Sequence, residues 1–286
     1  MSLEGPIDRR QERVALITGA VGGLGSTVAR LLGHTHVLVL TDGNAKKLEQ
    51  FASSLNREGY RATALSGDLT DPVLHGILAE HCKRTGALRS IVNAAGLSPA
   101  QADWQTIVNV NTVAASQLVR TIEPLLTPGS ACVMIASVAG HLGPVDAEIE
   151  ALLDNPHRAD LIDALEPLLK KLTAVHGGTV EGHAYSLSKR AVIRLCERQS
   201  LNWGNKGARI NSISPGVLST AMGRLEAKRG DRAQALINST PAGRWGNAMD
   251  VAKAAEFLLS DAASYITGSD FRVDGGAVAA LRGQNF

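Results

Sequence analysis

The feature that most constrains this chain is the stretch TGAVGGLG, residues 18–25, because of what flanks it. Before it, RVALITG (13–19) is a continuous apolar run with β-branched residues, the pattern of a strand buried on both faces. After it, GSTVARLLG carries apolar residues at helical spacing. A glycine-rich turn from strand to helix leaves backbone N–H groups and a helix N-terminus facing outward, which suits a pyrophosphate. Gly19, Gly23 and Gly25 would supply the tight turn, the close backbone approach and the close packing of helix on strand, with Gly22 and Leu24 in the same turn. A merely flexible turn is the alternative; the placement between strand and helix favours a dinucleotide site. The next apolar run, HVLVLTD (36–42), ends in Asp42. A carboxylate there can hold both ribose hydroxyls of NAD and would repel the 2′-phosphate of NADP. Gly43 and Asn44 follow, and Lys46 and Lys47 stand a turn further on, so no cation answers such a phosphate. NAD is expected over NADP, although Asp42 could also cap the helix that follows.

The alternation continues to the end of the chain. Strand-like runs recur at 61–68, 88–96, 130–137, 208–216 and 270–276, separated by helical patterns that include a long one over about 101–123. Continuous apolar strands alternating with helices predict a parallel sheet covered on both faces. The expected fold class is α/β: a single-domain doubly wound Rossmann fold, with a seven-stranded parallel sheet. Residues 13–286 would form that domain, behind a frayed leader, 1–12, whose Pro, Gly and charges show no signal-peptide core.

Composition narrows the function classes. No run of about 18 apolar residues exists, so no membrane partner is expected. A net charge of +2 and 3% aromatic residues argue against nucleic acid. Cys82, Cys132 and Cys196 are too few and too scattered for a disulfide framework or a C-x-x-C site, and a cytoplasmic address is expected. His34 and His36 would share one strand face, but no third ligand matches, so no metal site is expected.

The chemistry-bearing pair is Tyr185 and Lys189, in YSLSK, which fall on one face of a helix. A phenol, with a reference pKa near 10, is a poor base at neutral pH, and an ammonium one turn away favours the phenolate. On spacing alone an ordinary amphipathic turn is the better reading, since such a pair turns up by chance in many chains.

These motifs together resemble the short-chain dehydrogenase/reductase family over nearly the whole chain. The glycine turn matches at Thr18, Gly19, Gly23 and Gly25. The resemblance implies that Asp68 and Leu69, in GDLT, lie against adenine. It places Asn93, Ala94, Ala95 and Gly96 in the family's N-N-A-G, with Ala94 replacing the second Asn. It places Asn111 (in VNVN), Ser137 (in ASVAG), Tyr185 and Lys189 as the catalytic residues, and Pro215, Gly216, Val217 and Thr220 (in SPGVLST) against the nicotinamide carboxamide. Tyr185 would take the alcohol proton, Ser137 would hold the reacting oxygen, Lys189 would bind the nicotinamide ribose, and Asn111 would hold a water leading from Lys189 to solvent. AGLSP, the long segment before Tyr185 and the ending VDGGAVAALRGQNF are similar to the bacterial 3α-hydroxysteroid dehydrogenase/carbonyl reductase branch. The implied activity is interconversion of a secondary alcohol and a ketone, on a small lipophilic molecule such as a hydroxysteroid or terpenol, by a homodimer or homotetramer. A rival reading is a non-catalytic dinucleotide-binding sensor, which loss of Tyr185 or Lys189 would have favoured.

Two segments stand apart. The loop and helix over about 217–247, with Leu218, Met222, Leu225, Leu236, Ile237 and Trp245, should wall the substrate site. Forty-seven residues separate Ser137 from Tyr185, which leaves about 144–181 as a helical insertion. Leu161, Ile162, Leu165, Leu168, Leu169 and Leu172 have helical spacing, Pro167 should kink that helix or start a new turn, and HGGTVEG (176–182) should be a flexible return. The apolar face would meet a neighbouring subunit or cap the substrate mouth.

Overall fold

The structure, a computed structural model, describes residues 12–144, 146–227 and 240–283. Leu236, Ile237 and nearly all of the leader lie outside the described residues.

Strand β1 (Arg13–Thr18) has five consecutive buried residues because it is central. Parallel neighbours flank it: β2 (Val37–Thr41) and β4 (Ala87–Asn93), with Val14 opposite both Val37 and Leu88. With β3 (Ala62–Ala64), β5 (Ala131–Ile135), β6 (Arg209–Pro215) and β7 (Asp270–Val273), the sheet runs β3-β2-β1-β4-β5-β6-β7. The order reverses between β1 and β4, and a crevice forms at the carboxyl ends of strands on either side of such a switch.

Side-chain alternation sorts the core into two layers. Ala15 and Ile17 face α1 (Gly23–Leu32), α2 (Ala45–Arg57) and the helix Ala248–Leu259 through Val28, Leu48, Val251 and Ala255. Val14 and Leu16 face α3 (Pro72–Thr85), α5 (Ala115–Ile122) and α9 (Val180–Gly204) through Leu78, Leu118 and Ile193.

Several local expectations change. The 61–68 run yields only three paired residues, all half-buried, because β3 is the sheet edge and pairs on one side. The long helix is interrupted: α4 (Trp104–Val108) passes through a π-helical turn, Asn109–Ala114, into α5. A π-turn adds a residue without changing the composition of either face, so hydrophobic periodicity does not show it. Helix α9 starts five residues before Tyr185, where Thr179 Oγ1 accepts from Gly182 N. The glycine turn before it is confined to Gly177 and Gly178, both at positive φ. His34 precedes β2 instead of lying on it, and His36 is tied to Leu32 O and Ser90 Oγ through its two ring nitrogens.

The insertion forms α7 (Ala147–Asp154) and α8 (Leu161–His176), the latter running on through Pro167. Ile149, Leu153, Leu161, Leu165 and Leu169 build a third core with Trp104 and Val108 of α4 and Ala184, Leu187 and Ala191 of α9. Ion pairs reinforce the seam: Arg190 with Glu150 (2.8 Å), Arg194 with Glu150 (2.9 Å) and Asp154 (2.6 Å), and Arg198 with Asp154 (3.2 Å).

Candidate active site

The glycine turn is held against the end of β4. Gly19 has φ +63°, and a Cβ there would lie 2.6 Å from Ala95 N. A Cβ on Gly25 would lie 2.2 Å from Gly19 O, which forces α1 close to the turn. Gly22 caps α1 without a side chain, so the first-turn N–H groups have no side-chain acceptor. Beyond Gly23 the nearest obstacle to a Cβ is the Thr220 side chain, at 3.0 Å. The loop after Pro215, the last residue of β6, carries Gly216, Val217 and Thr220 and therefore reaches the rim of the turn. Thr18 Oγ1 donates to Asn93 Oδ1 (2.5 Å) and accepts from Ala95 N (3.2 Å), while Ala94 N donates to Thr18 O (3.2 Å). The ends of β1 and β4 are thus locked together, with Ala94 bonding through its backbone alone.

Asp42 follows β2 beside this turn. Its carboxylate accepts from Val21 N (3.2 Å) and Asn44 N (3.0 Å). Asn44, not Asp42, caps α2, by accepting from Lys47 N (3.0 Å). Asp68 is exposed and accepts from Thr70 N (2.8 Å), with Leu69 half-buried beside it. An uncapped helix N-terminus, a cradle that a Cβ would fill and an acid at the next strand end fit a dinucleotide.

Three elements converge on the side chains assigned to chemistry. The π-turn presents Asn111, 2% exposed. Its Oδ1 accepts from Leu97 N (2.8 Å), and its Nδ2 donates to Leu97 O (2.9 Å) and Ser188 Oγ (3.0 Å). Helix α9 presents Tyr185 and Lys189. Lys189 is 5% exposed; its Nζ donates to Ile135 O (2.9 Å) and lies 5.8 Å from the Tyr185 ring centroid. A Cβ on Gly96 would sit 3.2 Å from both Asn111 Oδ1 and Lys189 Nζ, so those atoms converge on the bare backbone of Gly96. Ser137 follows β5, half-buried, and its Oγ accepts from Ala139 N (3.2 Å). A buried ammonium demands polar partners, and this one has a strand-end carbonyl.

Ser188 escaped the sequence reading. Its hydroxyl donates to Tyr185 O (2.8 Å) and accepts from Asn111, joining the tyrosine helix to the π-turn. The only signal was its place between Tyr185 and Lys189. Behind Asn111 lies a cavity of about 160 Å³, bounded by Thr112 and Ser116, by Ala191 of α9 and by His157 of the insertion. The cysteines take no part: all three are buried, and burial pushes the Cys82 thiol up to about 12 and raises Cys132 and Cys196.

Comparison with known proteins places this geometry in a family. Residues 13–147 match the family model described as short chain dehydrogenase, and residues 170–278 match the one described as enoyl-(acyl carrier protein) reductase. The chain is 33% identical over 270 residues to the short-chain dehydrogenase/reductase bsc3 of Alternaria brassicicola, covering 93% of this chain and 96% of that protein. It is 28% identical to cyclopentanol dehydrogenase of Comamonas testosteroni, covering 95% and 99%, and 27% identical to gluconate 5-dehydrogenase of Gluconobacter oxydans, covering 93% and 95%. The solved structure of a short-chain type dehydrogenase/reductase from Mycobacterium ulcerans superimposes with a TM-score of 0.73 at 25% identity, over 94% of this chain and 90% of that one.

Proposed function

This chain belongs to the short-chain dehydrogenase/reductase family and is an oxidoreductase of CH–OH groups that works with a nicotinamide dinucleotide; from that premise we propose that it uses NAD to interconvert a lipophilic secondary alcohol and its ketone. The observation that carries the catalytic assignment is the convergence of Asn111 Oδ1 and buried Lys189 Nζ beside the Tyr185 ring. The dinucleotide, bound along Gly19–Gly25, Asp42, Asp68–Leu69, Asn93–Gly96 and Pro215–Thr220, supplies the hydride chemistry. The chain supplies placement and proton transfer. Tyr185 takes the hydroxyl proton of the alcohol, or returns it to the ketone oxygen in reverse. Ser137 hydrogen-bonds that oxygen. Lys189 favours the phenolate by its charge and binds the nicotinamide ribose. Asn111, braced by Leu97 and Ser188, holds a water beside Lys189.

Asp42 supports NAD, because a carboxylate anchored at the end of β2 meets ribose hydroxyls well and a phosphate badly. Met222, Leu225 and Trp245 support an apolar substrate: Leu225 is 46% exposed and the other two are half-buried, whereas Leu218 packs against the core. The likeness of AGLSP and of the chain ending to bacterial 3α-hydroxysteroid dehydrogenase/carbonyl reductase makes hydroxysteroids the first candidates. A homo-oligomer fits this reading, assembled through surfaces other than the faces of α4 and α9 that α7 and α8 cover.

The test is absorbance at 340 nm with purified protein, NAD or NADP, and hydroxysteroids, cyclic terpenols, simple secondary alcohols and polyols. NAD-dependent turnover of a cyclic alcohol supports the proposal. Preference for NADP, or for polyols, overturns its cofactor or substrate half. Dinucleotide binding with no turnover of any alcohol would favour the sensor reading.

A further inference from the structure

His141 stands four residues after Ser137, in the short helix α6 (Ala139–Leu142). Its Nε2 is 2.8 Å from Asp270 Oδ2 and 3.2 Å from Ser214 Oγ. Asp270, the first residue of β7, has its other oxygen filled: Oδ1 accepts from Ser212 Oγ (2.5 Å) and Ser214 Oγ (3.0 Å). The His141 and Asp270 side chains are 15% and 9% exposed. A carboxylate so deeply placed needs a donor on each oxygen, and His141 is the donor on Oδ2.

The same short helix touches the catalytic parts on both sides. Val138 N donates to Pro215 O (3.1 Å), and Ala139 N donates to Ser137 Oγ (3.2 Å), so the setting of the serine hydroxyl depends on where α6 sits. Opposite, a Cβ on Gly140 would lie 2.9 Å from Arg190 N and Lys189 C, which puts α6 backbone-to-backbone on the catalytic helix. Arg282 Nη2 donates to His141 O (3.1 Å) and adds a tie from the C-terminal helix Ala277–Gly283.

We propose that His141 and Asp270 form a buried latch that fixes α6 to the floor of β6 and β7 and so positions Ser137 against Tyr185 and Lys189. His141 is a positioning residue: it acts through α6 and touches neither the assigned cofactor cradle nor the reacting oxygen. The inference rests on Ser137 holding that oxygen, as assigned above.

The test compares His141→Leu, which removes the donor, with His141→Gln, whose amide nitrogen can reach the same carboxylate oxygen. His141→Leu should lower kcat by roughly ten- to a hundredfold, the scale of a small misplacement of a catalytic group, while the NADH dissociation constant stays at its wild-type value. His141→Gln should restore most of that loss. In the protein without cofactor or substrate, hydrogen exchange of the 137–143 segment should quicken in His141→Leu and stay slow in the strands. Wild-type kcat in a folded His141→Leu protein, equal losses in both variants, or faster exchange throughout the sheet would each overturn the latch. Should His141→Leu fail to fold, Asp270→Asn keeps the shape and removes the charge. A kcat loss at unchanged NADH affinity then supports the latch, and wild-type kcat overturns it. A wild-type protein inactive on every alcohol would defeat the assigned function, yet the exchange comparison would still decide the latch.

Discussion

The proposed roles of Tyr185, Lys189 and Asn111 depend on backbone groups that hold two of them: Leu97 grips both polar atoms of the Asn111 amide, and Ile135 O receives the Lys189 ammonium. Tyr185→Phe keeps the ring against Lys189 and removes the transferable proton. Turnover should fall by about 10²–10⁴, with NADH binding, read by fluorescence, retained. Cofactor choice is separable from this. A Cβ on Gly43 would meet only Gly67 O, at 4.0 Å, so the backbone there accepts a side chain. Asp42→Ala combined with Gly43→Arg should move the ratio of kcat/KM values toward NADP, since a guanidinium pairs with phosphate; an unchanged ratio would show that Asp42 does not discriminate. A different residue should contribute to acid sensitivity. Burial, helped by the charges of Arg13 and Arg89, lowers the His36 pKa to about 4, below its unfolded value of 6.5. The unfolded chain then binds the proton first as pH falls. Stability is full above about pH 6.5 and declines toward pH 4, by as much as about 3 kcal/mol. Melting curves across that range should show the decline, and His36→Gln should flatten it. The residues that the structure brings together at the candidate site, Tyr185, Lys189 and Asn111, could be picked out from sequence because they lie in motifs. Ser188 and His141 could not, because a serine or histidine in a helix has no signature until the fold brings its partner across.

At the level of elements, α7 and α8 were legible because their leucines keep helical period, and the segment's acids pair with α9 arginines that face it only after folding. The π-turn and the three-residue edge strand were not legible: both depend on neighbours instead of local pattern. Pro167 does not end α8, which continues past the hydrogen bond a proline must forgo; α8 is held by Leu165 and Leu169, 1% and 0% exposed. Leu169→Ala should cost about 2–5 kcal/mol, the range for emptying a buried leucine site, measured by denaturant titration. The ionic seam gives the insertion its own pH response. The hydrogen bond from Arg190 lowers the Glu150 pKa below 4.5, and that from Arg194 lowers Asp154 below 3.8. Depressed carboxylates contribute stability above their unfolded values and lose it as pH falls through the folded ones, so the seam should loosen below about pH 4. Limited proteolysis as a function of pH should then cut within 147–176 before it cuts the sheet.

Across the whole molecule, the sheet order sets where the insertion can and cannot act. The proposed dinucleotide cradle lies at the ends of β1, β2 and β4, whereas α7 and α8 lie on α4 and α9, on the far side of Asn111. Replacing 146–178 with a short Gly/Ser linker retains Thr179, the cap of α9, and leaves every residue of the cradle in place. It would uncover Trp104, Val108, Ala184, Leu187 and Ala191, all buried at present. Such a patch on two adjacent helices is costly in water, and a second copy of the same face is the nearest apolar cover, because a two-fold contact presents identical surfaces. The shortened protein should therefore bind NADH with wild-type affinity and gain mass by light scattering, as pairs form across α4 and α9. The wall that Leu153 and His157 give the cavity behind Asn111 would go with the insertion, so kcat should fall moderately while KM for the alcohol stays near wild type. A shortened protein of unchanged mass would show that the insertion does not shield an association face, and a raised KM at unchanged kcat would mean that it forms part of the substrate mouth instead.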